Sequence, residues 1–277
     1  MIQALVVLLP VVYAAAAALA LIEFSTLGAG GGARTPGLPW RVGAYAAALA
    51  LHVALFAARA ASVTGTPSFE GWWAISTLAF AVATLHLVVA ARQGTSGTDP
   101  IVLTTVLVLQ LAASAFAPLD TSVAPDRPIP FYLLHVTSIL VASAALVLSG
   151  LHGCLYLMLF RQMRQRRLGN LFERLPSLHL LAQLMRRTAL VACLLLLLGS
   201  NGGIWWAHAA QIPGFTYGDP VVILSLLLSV YFGAVAFSRR IPGLTARRAS
   251  FAAAVGLLLL IASLGLFLAE SNFHWTR

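Results

Sequence analysis

The stretch ALVACLLLLLGSNGGIWWA, residues 189–207, decides the fold class. It carries no charged side chain, and its length matches the ~20 residues that a helix needs to cross ~30 Å of hydrocarbon. A transmembrane β-barrel would instead show segments of about ten residues with alternating hydrophobicity. The stretch therefore predicts a membrane-spanning α-helix.

The whole chain shares the composition of this stretch. Of its 277 residues, 60% are hydrophobic and 9% are charged, and the mean hydropathy is +0.91. A soluble globular domain has roughly a quarter of its residues charged. In lipid, every backbone polar group must be satisfied within the protein, and a helix achieves this along a single segment. The composition therefore predicts an all-α membrane protein.

Further apolar runs lie on both sides of residues 189–207, separated by breaks rich in Gly and Pro. We predict a polytopic bundle of about eight transmembrane helices that forms a single domain over residues 1–277. The predicted helices lie near residues 2–23, 41–60, 72–92, 101–117, 131–160, 188–209, 220–238 and 249–270. No Lys or Arg precedes the first run, so it lacks the basic region of a signal peptide and is expected to remain as a helix.

The basic residues are distributed unevenly among the connections. All 17 are arginines, and they cluster in the connection 161–187 and at residues 239–248. The positive-inside rule places both connections in the cytoplasm, so the N-terminus and the C-terminus both lie outside. We interpret the net charge of +9 as topological, with lipid and not nucleic acid as the partner. As an alternative, the basic cytoplasmic connection 161–187 offers a surface for a protein partner or for anionic lipid.

Several protein classes are excluded by what the sequence lacks. Its two cysteines, Cys154 and Cys193, fall in predicted helices toward the cytoplasmic side, where disulfides are not expected. It has no Cys-x-x-Cys-His motif for haem attachment and no thioredoxin-like cysteine pair. The chain is therefore neither a c-type cytochrome nor a thiol oxidoreductase. No catalytic nucleophile or acid pair is visible either, and we expect no enzyme.

The histidines are the candidate functional residues, because an ionisable group inside a membrane is costly and suggests function by default. His135, early in the fifth predicted helix, and His208, at the end of the sixth, lie at the same outer level. Two helices that offer imidazoles at matching depth can hold a haem iron from both sides. We therefore predict His135 and His208 as axial ligands of haem iron. His52, ~16 Å along its helix from Arg41, is a further candidate ligand.

Each of these histidines also has a simpler interpretation as an interfacial or helix-packing residue. The same choice applies to Trp205 and Trp206, since amphipathic rings normally collect at the membrane boundary. Small residues in the fifth and sixth helices are expected to allow close helix approach. These small residues are Gly150, Gly153, Gly202 and Gly203.

Three segments resemble the cytochrome c assembly family, which includes CcsA, CcmC and the shorter HemX-like and YpjD-like proteins. The His-bearing helix and basic exit of that family resemble FYLLHVTSILVASAALVLSGLHGCLYLMLFRQMRQRR, residues 131–167. Upstream, LHVALFAARAASVTGTPSFEGWW, residues 51–73, has the family's His, Arg, Gly and Glu in order. Residues 195–264 are similar to its last three helices, and the order and spacing of the segments carry the resemblance.

The resemblance assigns roles to particular residues. In the family, CcsA and CcmC handle haem, and His135 is similar to an external histidine that precedes a Trp-rich loop. His52 is similar to an intramembrane histidine. The family's loop reads W-G-x-x-W-x-W-D-P, whereas residues 211–220 read QIPGFTYGDP, with Phe215 and Tyr217 roughly where tryptophans stand. The predicted haem platform is Trp205, Trp206, Phe215, Tyr217 and Asp219.

The resemblance implies a membrane component of cytochrome c biogenesis that binds haem b noncovalently through outer-facing histidines. It also implies a multi-pass protein of a bacterial inner (plasma) membrane, with partners among cytochrome c maturation or haem-pathway proteins. The altered loop and the basic turn before the last helix are most similar to the HemX/YpjD-like branch. The alternative is therefore a HemX-like regulatory or scaffold protein that does not itself bind haem. A small-solute transporter is a third class, for which the sequence shows no inverted repeat.

Overall fold

A computed structural model of the protein describes residues 2–26, 39–62, 71–93, 97–116, 129–166, 174–212 and 215–270. Over these ranges the ordered elements are eight long α-helices and one short 3-10 helix, with no strand. The helices are α1 (Ile2–Thr26), α2 (Pro39–Ser62), α3 (Trp72–Gln93), α4 (Asp99–Phe116), α5 (Ile129–Arg164), α6 (Leu178–Ala209), α7 (Pro220–Ala236) and α8 (Ala246–Glu270). The predicted all-α class is confirmed.

The helices have the length and composition of membrane spans. In the described part of the chain, seven of them are long and apolar enough to cross a bilayer, and α7 is a shorter apolar helix. The chain is therefore a multi-pass membrane protein whose surroundings include the lipid bilayer. Its many exposed apolar side chains, such as Val7, Val230 and Leu258, are then solvated by lipid tails.

Two helices extend beyond the limits that hydropathy indicates. The structure extends α5 over 36 residues to Arg164 and begins the 32-residue α6 at Leu178, ten residues before the predicted start. At 1.5 Å per residue these helices are ~54 and ~48 Å long, well above the ~30 Å of hydrocarbon. Their basic ends stay helical because Arg, Gln, Leu and Met are good helix formers. The predicted connection 161–187 is thus partly helical, and its residues 167–173 lie outside the described residues.

The chain divides into two compact units, and each is described by itself. Unit 1 comprises Met1–Pro125 and Leu159–Ser177, and unit 2 comprises Asp126–Met158 and Leu178–Arg277. In unit 1, α1 packs on α2 and α4, and α3 packs on α4. In unit 2, α7 packs on α6 and α8. The single domain over residues 1–277 stays a prediction.

Glycines bring the helices of unit 2 close together. A Cβ added at Gly150 would lie 2.5 Å from Leu257 Cβ, and one added at Gly153 would lie 2.7 Å from the Ser250 carbonyl oxygen. Both contacts join α5 to α8. Lipid tails are as apolar as the helices, so helix association depends on this kind of tight packing. The predicted role of these two glycines is confirmed.

Candidate functional site

His135 lies early in α5 and is oriented by a backbone bond from α6. Its Nδ1 is 2.7 Å from the carbonyl oxygen of Gly199. A carbonyl can only accept, so Nδ1 carries the proton and the imidazole lone pair is on Nε2. A bond of this kind is what commonly orients a metal-binding histidine and fixes its tautomer. The sequence predicted His135 but gave no sign of its backbone partner.

The imidazole of His135 lies in a recess of α6 that glycine creates. Gly199 and Gly203 are one turn apart, and a Cβ added at Gly203 would come within 2.6 Å of His135 Nδ1. On the same side of α6, the ring of Trp206 is nearly parallel to the imidazole, at 15° with centroids 6.3 Å apart. The Gly-x-x-x-Gly spacing is the sequence signal that could have indicated this close contact.

His208 lies in the last turn of α6 and belongs to an exposed aromatic cluster. Its Nε2 is 2.6 Å from the Tyr217 hydroxyl oxygen, and its ring meets Phe215 edge-on at 5.4 Å. Phe215 and Tyr217 also contact each other, with centroids 5.4 Å apart. The structure therefore brings together three residues that the sequence analysis singled out, at the loop between α6 and α7.

The other three predicted platform residues have different surroundings. Trp205 is 66% exposed and lies near Phe131, whereas Trp206 is buried against His135 and Tyr132. Asp219 is the N-cap of α7, where its Oδ1 accepts a hydrogen bond of 2.8 Å from the Val221 backbone N–H. A helix-capping role explains an Asp followed by Pro at the first helical position.

His135 and His208 lie toward the same end of unit 2. His135, on α5, packs against one face of α6, whereas His208 projects from another face of α6. His208 follows Gly203, which contacts His135, by five residues, so it projects about 140° further around the helix. His208 also lies about 7.5 Å further along the axis of α6 than Gly203, so the two imidazoles neither share a level nor face each other across one gap. Their joint ligation of one iron stays a prediction.

His52 belongs to unit 1, within a buried chain of hydrogen bonds. Ser76 donates to Gln110 Oε1 at 3.0 Å, so its oxygen is an acceptor for His52 Nε2–H at 3.1 Å. His52 Nδ1 then accepts from the Tyr13 hydroxyl at 3.1 Å, and Gln110 donates onward to Ser114 at 3.0 Å. The hydrogen bonds of such a chain polarise one another in surroundings of low dielectric constant, and this chain links α1, α2, α3 and α4. Iron ligation by His52 would require one of its two bonds to break.

Unit 1 also contains buried ionisable groups that sequence reasoning missed. His86 Nε2 lies 2.9 Å from Asp99 Oδ1, and both side chains are almost fully buried. The guanidinium of Arg59 lies over the ring of Trp73, 4.0 Å from its centroid, with 2% of the residue exposed. The signal available in the sequence was Asp99, since acidic residues number only eight in the chain.

Replacing Gly203 with alanine tests whether the recess fixes His135. We expect Gly203→Ala to lower the free energy of unfolding by about 1–3 kcal/mol, because the new methyl group overlaps the imidazole. Gly202→Ala is the matched control, since its Cβ would find only an ordinary contact, 3.6 Å from the His135 backbone nitrogen. Both substitutions raise the helix propensity of their position by the same amount. A difference between the two variants in thermal unfolding in micelles therefore reports the overlap with the imidazole. Equal stability of the two variants would rule out the recess.

Comparison with known proteins gives one match. The sequence model of the family described as cytochrome C assembly protein matches residues 45–274, from within α2 to beyond α8. No curated protein and no solved structure matches the chain significantly. In the described residues, no group of three or more His, Cys, Asp or Glu side chains could hold a bare metal ion. Haem iron needs only one or two protein ligands, which single histidines on separate helices can supply.

Proposed function

Since this chain belongs to the cytochrome c assembly family, a membership that supports a role in cytochrome c biogenesis, we propose that it handles haem in that process. It binds haem b noncovalently at the end of unit 2 that carries His135 and His208. The proposal includes a bacterial inner membrane, both termini outside, and the HemX/YpjD-like branch of the family. Its partners are then other cytochrome c maturation or haem-pathway proteins.

The bond between His135 and the Gly199 carbonyl is the observation that carries this proposal. The bond sets the imidazole's tautomer and direction in advance, so haem binding does not have to pay for ordering this side chain. Haem supplies an iron centre that such an imidazole can ligate through Nε2. Trp206 is buried beside the imidazole, so it would contact only a macrocycle that enters the recess next to His135.

His208 is the proposed second ligand. It lies in the last turn of α6, where helices fray most easily, and its ring is exposed. To face His135 it must leave the Tyr217 hydroxyl and the last turn must unwind. Phe215 and Tyr217 would then be free to contact the porphyrin. Two imidazole ligands predict a low-spin iron, whereas His135 alone predicts a high-spin iron.

Removing the aromatic rings of the loop tests the proposed platform. We expect the double variant Phe215→Ala, Tyr217→Ala to bind haem about tenfold more weakly without a lower protein yield, because each aromatic contact contributes about 0.5–1.5 kcal/mol. Haem titration followed by absorbance measures the affinity. Phe251→Ala, which removes a 63% exposed aromatic from α8, is the control and should leave it unchanged. If the double variant binds haem with unaltered affinity, the aromatic residues of the loop do not contact the haem.

A further inference from the structure

A cavity of about 590 Å³ lies at the end of unit 2 opposite His208. Its walls come from α5, from the first turns of α6, from the 3-10 helix Ser238–Arg240 and from the start of α8. The side chains that matter for its chemistry are Tyr156, His179, Arg186, Arg239 and Thr245. None of these residues has a role in the proposed haem site.

The cavity is basic. Arg186, Arg239 and His179 line it, and among the described residues of its wall none is acidic. Arg186 is only 9% exposed, although its guanidinium stays charged at every physiological pH. A buried charge is costly unless an opposite charge compensates it. The wall therefore favours an anion beside Arg186.

The start of α8 adds to this preference. Thr245 and Ala246 line the cavity, and α8 begins at Ala246, so the N-terminus of α8 borders that space. Thr245 Oγ1 accepts a hydrogen bond of 3.4 Å from the Arg248 backbone N–H, and the positive end of the helix dipole makes such a terminus attractive to phosphate. The turn before it is held by a hydrogen bond of 2.7 Å from Arg248 to the Gly243 carbonyl, and Gly243 has a φ of +79° that suits glycine. This hydrogen bond and the glycine turn hold the edge of the cavity in place.

The position of the cavity along α6 matches a membrane surface. Arg186 precedes His208 by 22 residues, or ~33 Å of helix, close to the ~30 Å of bilayer hydrocarbon. With His208 at one interface, Arg186 lies at the headgroup level of the other. Arginine is well suited to phosphate because its planar fork can donate two parallel hydrogen bonds. We propose that this cavity binds a phosphate group, carried by an anionic lipid or by soluble phosphate.

Thermal unfolding in phosphate-free maltoside micelles tests the proposal. One sample receives phosphatidylglycerol, and another receives inorganic phosphate at an ionic strength matched with chloride. A ligand present at about 100 times its Kd should raise the unfolding midpoint by about 5 °C or more. A shift with phosphatidylglycerol alone identifies the lipid source, and a shift with inorganic phosphate identifies the soluble source.

Arginine variants distinguish phosphate binding in this cavity from a general attraction between phosphate and the basic surface. Arg186→Gln and Arg239→Gln should each weaken binding about five- to tenfold, since one arginine near a headgroup contributes about 1 kcal/mol. Arg187→Gln is the control, because it removes the same charge from the next, exposed position of α6, outside the cavity wall. Arg239 is itself exposed, so its replacement tests the cavity without endangering the fold. No shift with either ligand, or an equal loss in Arg187→Gln, would overturn the proposal.

Discussion

Alanine in place of His135 is expected to abolish the low-spin haem spectrum and to weaken haem binding about 100-fold or more. Loss of a residue that merely orients a metal ligand already costs about 10–100-fold, and here the ligand itself is removed. The fold should persist, because the variant loses one hydrogen bond to Gly199, a cost of about 0.5–1.5 kcal/mol. Absorbance titration with haem, together with circular dichroism, measures both effects.

Two controls accompany the His135 variant. His179→Ala changes an exposed histidine at the other end of α6 and should keep the spectrum. Added imidazole should restore a low-spin spectrum to His135→Ala, because it can occupy the vacated ligand position. If His179→Ala loses haem to the same degree, or if neither variant loses it, His135 is not a ligand.

His86→Leu is expected to destabilise unit 1 by about 3–5 kcal/mol, because it removes one partner of a buried pair and takes the histidine away from the almost fully buried Asp99 carboxyl. Such a loss is a large fraction of the stability of an ordinary domain. Denaturant-induced unfolding in mixed micelles, followed by circular dichroism, gives the free energy. Replacing the exposed His179 by leucine is the control and should change it by less than about 0.5 kcal/mol.

The double variant His86→Leu, Asp99→Leu separates the pair from simple packing. Replacing both partners by apolar residues leaves no carboxyl without its histidine, and buried pairs exchanged in this way are often neutral. We therefore expect the double variant to recover most of the stability that the single variant loses. A double variant that is less stable than His86→Leu would show that the pair is not the source of the effect.

The eight helices of the described residues, seven of them long enough to span a membrane, could be predicted because each apolar run is close to the ~20 residues that cross the hydrocarbon. The full extent of α5 and α6 could not, since hydropathy marks only the part of a helix that lies in hydrocarbon. Arg164 and Arg186 are both helical and both fall outside the predicted spans. Arginine has a high helix propensity, and a prediction based on hydrophobicity alone does not take helix propensity into account.

The sequence indicated which end of unit 2 holds the candidate histidines, but not the contacts between helices that fix their positions. Helix boundaries place His135 early in α5 and His208 at the end of α6, yet they do not show that His135 packs against Gly203, about 7.5 Å before His208 along α6. The Gly199 carbonyl has no sequence signature as a partner, because every residue has a carbonyl. His52 takes its hydrogen bonds from Tyr13 and Ser76 on two other helices, and no spacing along the chain shows that. Asp219 could have been recognised as an N-cap from the proline that follows it.

The absorption spectrum of the purified protein, loaded with haem in micelles, tests the central claim most directly. The account predicts a stoichiometric, noncovalent haem with the low-spin spectrum of two imidazole ligands. It also predicts that His208→Ala turns this spectrum high-spin while His135→Ala removes it. A protein that is folded by circular dichroism but leaves the Soret band the same as that of haem in micelles alone, at every haem concentration, would contradict the account and favour a scaffold that does not bind haem.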